Sequence, residues 1–342
     1  MEPHKIMVSI GMIAYNHERY IRKAIESVLS QKTSFDFQII IHDDASTDGT
    51  REIIEEYVRK FPNKITAILQ KDNKYSQGID IIKYYILPLV KGKYYITCEC
   101  DDYWCDENKL QRQVDILESG QFIACTHNCC IVDEDDNPKT INSLQLVDCK
   151  THVYKLWMNE IDAYFPGTTA AKLYNTSIYE NDNPQFMEDF NNIQTQGDVK
   201  LNFLLSLSGD IYYMEDKMSV YRRVDHGGDS WSANNKNTNR NYYRFVSSIQ
   251  MRRFAKKYFN ISYKNYYSTF NAGARAILLY IKSPNQDNKD VLRKIVSKKG
   301  NPIIFVLYML CLLVIACPLY LLRTFYRWKY SLHNSKRNTD NQ

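Results

Sequence analysis

A chain of 342 residues has room for about two domains of ordinary size, the first with a substantial core. Its nine cysteines are an odd number in irregular clusters, and the N-terminus carries no charged and apolar leader. That pattern speaks against a disulfide framework and for reduced thiols in a cytosolic compartment. The net charge of +5 hides a partition: residues 1–235 hold 24 basic and 36 acidic side chains, residues 236–300 hold 15 and 2. An acidic globule followed by a basic, aromatic-rich segment calls for an anionic partner near the C-terminal end. No base-reading module accompanies the charge, so that partner is not nucleic acid.

Along the chain, Ile6–Ile13 reads as a buried strand that leaves through Ala14–Tyr15–Asn16–His17. Residues 19–31 place Ile21, Ala24, Ile25, Val28 and Leu29 at helical spacing. Phe37–Ile41 is a second apolar strand and runs into His42–Asp43–Asp44. A helix over 51–61 follows, with Asp48 and Thr50 available as caps. Ile65–Leu69 is a third strand, Gln77–Leu89 a helix, and Tyr94–Ile96 a strand entering Thr97–Cys98–Glu99–Cys100–Asp101–Asp102–Tyr103–Trp104. Alternating apolar strands and helices predict a parallel sheet covered on both faces, whose ligands bind beyond the carboxyl ends of the strands. Tyr15–Asn16, Asp43–Asp44 and Asp101–Asp102 all fall at such ends. Adjacent carboxylates repel unless a cation sits between them, which points to a divalent metal on hard oxygen ligands with an anionic substrate completing the shell.

Further on, residues 109–117 predict a helix, Phe122–Cys130 a strand and 131–147 a polar hairpin or loop. Cys125, His127, Cys129 and Cys130 fit no standard zinc spacing and read as buried free cysteines with a histidine among them. The stretch 150–196 shows no pattern. Gly197–Asp198 begins a helix with Leu201, Leu204, Leu205 and Leu207. Two short strands, Ile211–Met214 and Met218–Tyr221, then lead to a glycine-centred loop, Arg222–Arg223–Val224–Asp225–His226–Gly227–Gly228.

Taken together, IHDDASTDGT, ECDDYW followed by KLQRQVDIL, the Gly197–Asp198 helix start and YRRVDHGGDSWS resemble bacterial glycosyltransferase family 2, of the surface-polysaccharide type. The resemblance covers roughly residues 6–232. It implies a GT-A fold: an α/β, Rossmann-like, mixed but mostly parallel sheet covered by helices. Ala14, Tyr15 and Asn16 would line the nucleoside pocket, and Asp44 would bond the base or ribose. Asp101 and Asp102 would be the DXD-type pair holding Mn2+ or Mg2+, Asp102 the stronger ligand. Asp198 would be the catalytic base. His226, with Arg222 or Arg223, would close over the diphosphate, and His226 would be a further metal ligand. Two features depart from the family: Cys100 stands where glycine is usual, and the Arg-to-His spacing of the last loop is padded by two residues.

The implied activity is an inverting, hexosyltransferase-type reaction that is metal-dependent. It takes a nucleoside-diphosphate sugar to a glycan or lipid-linked glycan acceptor in cell-surface polysaccharide assembly. Breaking the sugar–phosphate bond leaves charge on the diphosphate, which a cation and the loop cations neutralise. The acceptor hydroxyl needs a carboxylate to take its proton, and an aspartate at a helix start stays ionised for that. A sugar nucleotidyltransferase would want a glycine-rich, basic loop after the first strand, where this chain has AYNHERY. A non-catalytic nucleotide-sugar-binding scaffold is the third alternative.

Residues 239–258 and 262–282 both show helical periodicity with Lys and Arg on the polar faces. Residues 301–322 then carry no charge over a length that crosses a bilayer, with Lys298 and Lys299 before and Arg323, Arg327, Lys329 and Trp328 after. The expected organisation is a transferase domain at 1–235 and a basic helical extension at 236–300. A transmembrane or re-entrant segment at 301–323 and a polar tail at 324–342 follow. The catalytic domain is expected on the cytoplasmic face of the plasma membrane.

Overall fold

The structure is a computed structural model, and it describes residues 6–139, 153–154, 167–195, 197–223, 240–262 and 285–297. All but the first residue of the helix expected over 262–282, the segment 301–323, the tail 324–342 and His226 lie outside those residues. Among the described residues no helix is long and apolar enough to cross a membrane.

The first half of the sheet is built as the apolar runs demand. β1 (Val8–Ala14), β2 (Phe37–Asp43), β3 (Ile65–Leu69) and β4 (Tyr94–Thr97) are parallel neighbours in the order β3-β2-β1-β4. β1, β2 and β4 are buried almost throughout, because α1 (Ile21–Leu29), α2 (Thr50–Lys60) and their neighbours cover the sheet. α1 puts Ile21, Ala24, Ile25 and Val28 into the core beside Ile10, Met12, Ile39, Ile41, Ile54 and Ile96. Truncating one of these isoleucines to alanine costs about 2–5 kcal/mol in transfer and cavity terms. Gly11 is required by packing: a Cβ there would lie 2.1 Å from the Tyr95 hydroxyl.

The second half is where the expected topology gives way. Beyond β4 the sheet continues β8-β6-β9-β5, where β5 is Tyr103–Trp104, β6 Ala124–Val132, β8 Leu173–Asn175 and β9 Ile211–Arg222; β7 (Val153–Tyr154) also pairs with β9. β4–β8, β6–β8, β5–β9 and β7–β9 are antiparallel, and β6–β9 is parallel. With four of eight pairings antiparallel, the sheet is evenly mixed rather than mostly parallel.

β9 is one twelve-residue strand where the sequence suggested two. Its register against β6 shifts around Asn128, so that exposed Glu215 and Asp216 bulge out while pairing resumes on either side. Asp216 there meets Arg112 of α3 (Lys109–Glu118) at 2.7 Å. The helix expected over 77–89 is broken into a 3-10 turn at Tyr75–Gln77, a π turn at Ile82–Ile86 and a 3-10 turn at Leu87–Leu89. Gly78 takes a left-handed conformation (φ 77°) and Pro88 removes an amide donor, so no continuous ladder forms.

Two compact units divide the chain: 1–190 with 196–236, and 191–195 with 237–342. Past α4 (Phe186–Asn191), the first unit also holds α5 (Gly197–Ser208), which begins at Gly197–Asp198 as the sequence suggested. In the second, a helix spans Arg240–Phe259 with Val246, Met251, Phe254 and Ala255 buried and Arg253, Lys256 and Lys257 exposed. Another spans Gln286–Ser297.

Candidate active site

Register places the carboxyl ends of β1, β2 and β4 side by side, with Ala14 opposite Asp43 and Gly11 opposite Thr97. The loops leaving β1 and β2 are laced into one rim. The Asn16 amide donates to Ser46 Oγ (2.9 Å), and Thr47 N–H donates to Asn16 Oδ1 (2.8 Å). His17 and Glu18 amides donate to Thr50 Oγ1 (2.8 Å) and Asp48 Oδ2 (3.0 Å), and Asp44 N–H donates to the Ala14 carbonyl (2.9 Å). Asn16 takes φ 54°, a left-handed state asparagine tolerates better than most residues. Ala14 is buried and Tyr15 half-buried on this rim.

Asp43 and Asp44 are buried for different reasons. Asp43 Oδ2 pairs with Arg51 (3.1 Å) and its Oδ1 accepts the Ser46 amide. Asp44 Oδ1 and Oδ2 accept the amides of Lys74 (2.8 Å) and Tyr75 (3.0 Å), which moors the loop after β3 to the rim.

The acidic turn owes its shape to alternation. Cys98 and Cys100 donate their amides to the Gly11 (2.9 Å) and Ile13 (3.1 Å) carbonyls, and both thiols go into the core. Cys100 in place of a glycine is thus accommodated by burial. Glu99 and Asp101, between and after them, are only partly exposed. Asp102 turns back inward, 2 % exposed, its amide on the Glu99 carbonyl (3.0 Å). Asp102 Oδ1 accepts the Arg222 amide at 2.8 Å, while Oδ2 is buried without a hydrogen-bond partner among the described residues.

The electrostatics of the turn follow from this crowding. Burial, then the charges of Asp101 and Glu99, hold the Asp102 carboxyl well above the usual range. Glu99 is pushed up to about 7 by burial, then by Asp101 and Asp198. Lys172 is drawn down to about 8 by burial, against the pull of Asp198 and Glu99. The Tyr221 phenol is raised to about 12 by burial, then by Asp102, Glu99 and Asp101. Asp198, exposed in the first turn of α5 with Oδ1 accepting the Val199 amide (2.8 Å), therefore shares one electrostatic neighbourhood with Glu99 and Lys172.

Arg222 is not where the sequence suggested. Its side chain is 2 % exposed and turned inward: Nε donates to the Asp101 carbonyl (3.0 Å), one terminal nitrogen to the Asp133 carbonyl (2.9 Å), the other to Asp136 Oδ1 (2.8 Å). The guanidinium also lies 4.4 Å from the Tyr20 ring centroid. It braces the acidic turn and has no free face for a diphosphate. Arg223 follows half-buried at the end of β9, and His226 lies outside the described residues.

Glu99, Lys172 and Tyr221 were missed by the sequence reading. Alternation through ECDD signalled Glu99, and alternation along β9 signalled Tyr221 once Arg222 is known to face inward. Nothing in 150–196 signalled Lys172. For a metal, the turn offers an unpartnered buried oxygen among hard oxygen donors, the chemistry that Mg2+ and Mn2+ take. Among the described residues no group of three or more His, Cys, Asp or Glu side chains is disposed to hold an ion. Cys98, Cys100, Cys105, Cys125, Cys129 and Cys130 are free thiols, as the irregular spacing suggested.

The family model described as glycosyl transferase family 2 matches residues 9–180, half of the chain, and the chain belongs to that family. It is 39 % identical over 129 residues to the uncharacterized protein Rv1520 of Mycobacterium tuberculosis, covering 37 % of this chain and 36 % of that one. It is 35 % identical over 113 residues to the UDP-Glc:alpha-D-GlcNAc-diphosphoundecaprenol beta-1,3-glucosyltransferase WfaP of Escherichia coli, covering 33 % of this chain and 42 % of WfaP. These matches span well under half the length of the curated relatives. The fold is similar to that of S. aureus TarS 1–349, solved in complex with UDP-GlcNAc, with a TM-score of 0.54 and 17 % identity over 86 % of this chain and 93 % of that one.

Proposed function

We propose that the chain is an inverting, metal-dependent glycosyltransferase of hexosyltransferase type. It moves a sugar from a nucleoside-diphosphate sugar to a hydroxyl of a glycan or lipid-linked glycan acceptor in cell-surface polysaccharide biosynthesis. The observation that carries this reading is the unpartnered Asp102 Oδ2, buried beside Asp101 and Glu99, whose carboxyl also feels the charge of Asp198. Family membership supports the transferase class. The printed activity of WfaP, a glucosyltransferase acting on a diphosphoundecaprenol-linked sugar, supports the donor and acceptor classes.

Asp102 and Asp101 would hold Mn2+ or Mg2+, which when bound supplies charge neutralisation to the departing diphosphate. The rim of Ala14, Tyr15 and Asn16, with the loop that Asp44 moors, receives the nucleoside. Tyr221 keeps its proton at neutral pH and is available as a hydrogen-bond donor to a donor oxygen. Arg223 and His226 would close over the diphosphate, His226 as a further metal ligand. Asp198 accepts the proton of the incoming hydroxyl as the new bond forms. A single displacement at the anomeric carbon inverts its configuration. The segment 301–323, uncharged through 322, attaches the chain to the membrane, with the transferase unit on the cytoplasmic face of the plasma membrane.

The test is turnover of UDP-glucose, UDP-N-acetylglucosamine and GDP-mannose by the full chain, read as nucleotide release with Mn2+, Mg2+ or EDTA. D198N is expected to retain donor affinity and lose turnover by about 100-fold or more. Turnover at the wild-type rate in D198N removes the base, and undiminished turnover in EDTA removes the metal.

A further inference from the structure

The hairpin that leaves β6 ends in a tight acidic turn at Asp133–Asn137. Val132 bridges to Pro138 across its base, and the Lys139 amide donates to the Ile131 carbonyl (2.8 Å). Asp133 closes the turn from inside, its Oδ1 accepting the amides of Asp135 and Asn137, both at 2.9 Å. Asp136 takes a left-handed φ of 67°, which aspartate adopts more readily than most side chains. From there its two carboxylate oxygens reach in different directions. Oδ1 accepts from a terminal nitrogen of Arg222 at 2.8 Å, and Oδ2 from Lys23 Nζ of α1 at 3.0 Å.

Those two partners are not equivalent. Lys23 is half exposed, and ion pairs open to water contribute little. The Arg222 side chain is 2 % exposed, and a buried guanidinium needs a counter-charge in contact with it. Among the described residues the carboxylate that meets it is Asp136. Its other acceptors are neutral carbonyls: Asp101 (3.0 Å), Asp133 (2.9 Å) and Glu134 (3.3 Å). The guanidinium therefore stands between the hairpin tip and the acidic turn, and the amide of the same residue holds Asp102 Oδ1 at 2.8 Å. A path of direct hydrogen bonds thus runs from Asp136 through Arg222 to both acidic residues of the turn. Adjacent carboxylates push apart unless something holds them, and a turn already held binds an ion without first losing that freedom.

We propose that Asp136 is a positioning residue for the carboxylate pair Asp101 and Asp102: it holds the buried guanidinium of Arg222, which holds the turn so that Asp102 Oδ2 is presented to a divalent cation. This rests on the reading of that pair as the metal site. Asp136 touches neither the ion nor the donor in this scheme and acts through Arg222. Its neighbour Asp135 supplies the control. That side chain sits on the same turn, carries the same charge and pairs instead with exposed Arg19 of the rim.

The experiment titrates Mn2+ into the full chain, alone and with UDP or GDP, and reads free Mn2+ by electron paramagnetic resonance. D136G removes the carboxylate at a backbone angle glycine takes freely, and is expected to weaken Mn2+ binding about 10-fold, as loss of an outer partner of a metal ligand does. D135N removes one negative charge from the same tip and is expected to stay within about twofold of the wild type. D136N keeps an oxygen toward Arg222 without the charge and is expected to lose about threefold. Should D136G not fold, as judged by circular dichroism, D136N serves in the same comparison. Wild-type affinity in D136G beside a D102N that has lost the ion overturns the proposal and leaves the metal reading intact. An equal loss in D135N and D136G does the same, because the tip would then act by its charge alone. A wild type that takes up no Mn2+ with either nucleotide, or a D102N that binds it as well as the wild type, overturns both.

Discussion

Asp102 and Arg222, 120 positions apart in sequence, meet through a 2.8 Å hydrogen bond from the Arg222 amide to Asp102 Oδ1. The Arg222 side chain passes on the same side to the Asp101 carbonyl (3.0 Å). The end of β9 therefore fixes both acidic residues of the turn from behind, and leaves Asp102 Oδ2 as the oxygen without a partner.

The first consequence concerns Arg222. R222M removes the buried guanidinium that binds the Asp101 and Asp133 carbonyls and Asp136, which keeps Lys23 as a partner. Losing such charge-assisted hydrogen bonds costs about 1.5–3 kcal/mol. Urea denaturation is expected to show that loss. A variant as stable as the wild type with a selective rise in donor KM would instead mean that Arg222 faces the phosphates.

Asp102 gives the opposite sign. D102N keeps an oxygen for the Arg222 amide and removes a buried negative charge from beside Asp101 and Glu99. The metal-free variant is expected to melt no lower than the metal-free wild type. Mn2+ at about 100 times its Kd stabilises a binding-competent protein by about 2.7 kcal/mol. That upward shift of Tm is expected in the wild type and absent in D102N. Equal shifts in both would move the ion elsewhere.

Lys109 provides a pH test away from the site. It is fully buried, its Nζ 2.8 Å from Gln113 Oε1 and 4.0 Å from the Trp104 ring centroid, and burial pulls its pKa down to about 7 from the usual 10.5. Between those two values the unfolded chain binds the proton and the folded chain does not, so the group makes stability rise with pH across that window. Below about 7 both states hold the proton and the dependence ends. K109M is expected to flatten the slope of unfolding free energy between pH 7.5 and 9.5 by up to about 1.4 kcal/mol per pH unit. Identical slopes for variant and wild type would refute the assignment. Loss of the Gln113 hydrogen bond changes the baseline but not the slope.

Asp44 tethers a loop rather than a helix. D44A frees the amides of Lys74 and Tyr75, whose hydrogen bonds to a carboxylate are worth roughly 1.5–3 kcal/mol each where buried. Trypsin cleavage after Lys71 or Lys74 is expected to speed up under native conditions, with a rise in donor KM if this loop closes on the nucleoside. An unchanged cleavage rate would show that the loop is held by other contacts.

The parts of the fold that were legible in sequence share one property: their signal is local. Continuous apolar runs marked β1 and β2, a 3.6-residue period marked α1, and acidic clusters at strand ends marked the rim. Where a pattern misled, the deciding group was small. Gly78 and Pro88 broke the helix expected at 77–89, and a shift of register at Asn128 let β9 run through Glu215 and Asp216 as a single strand. Cys98 and Cys100 looked like part of an acidic loop, yet their amides extend the β1 pairing and their thiols belong to the core.

The site divides along the same line. Composition and spacing alone determined that carboxylates gather at the ends of parallel strands, because strand direction and the positions of charged residues are written along the chain. Tertiary structure decided which charges face one another. It turned Arg222 inward under Asp101 and brought Lys172 from an unpatterned stretch to Glu99 and Asp198. Those outcomes depend on the antiparallel pairing of β8 with β4 and on the closure of β9 against β6, contacts between segments far apart in sequence whose energy no short window contains.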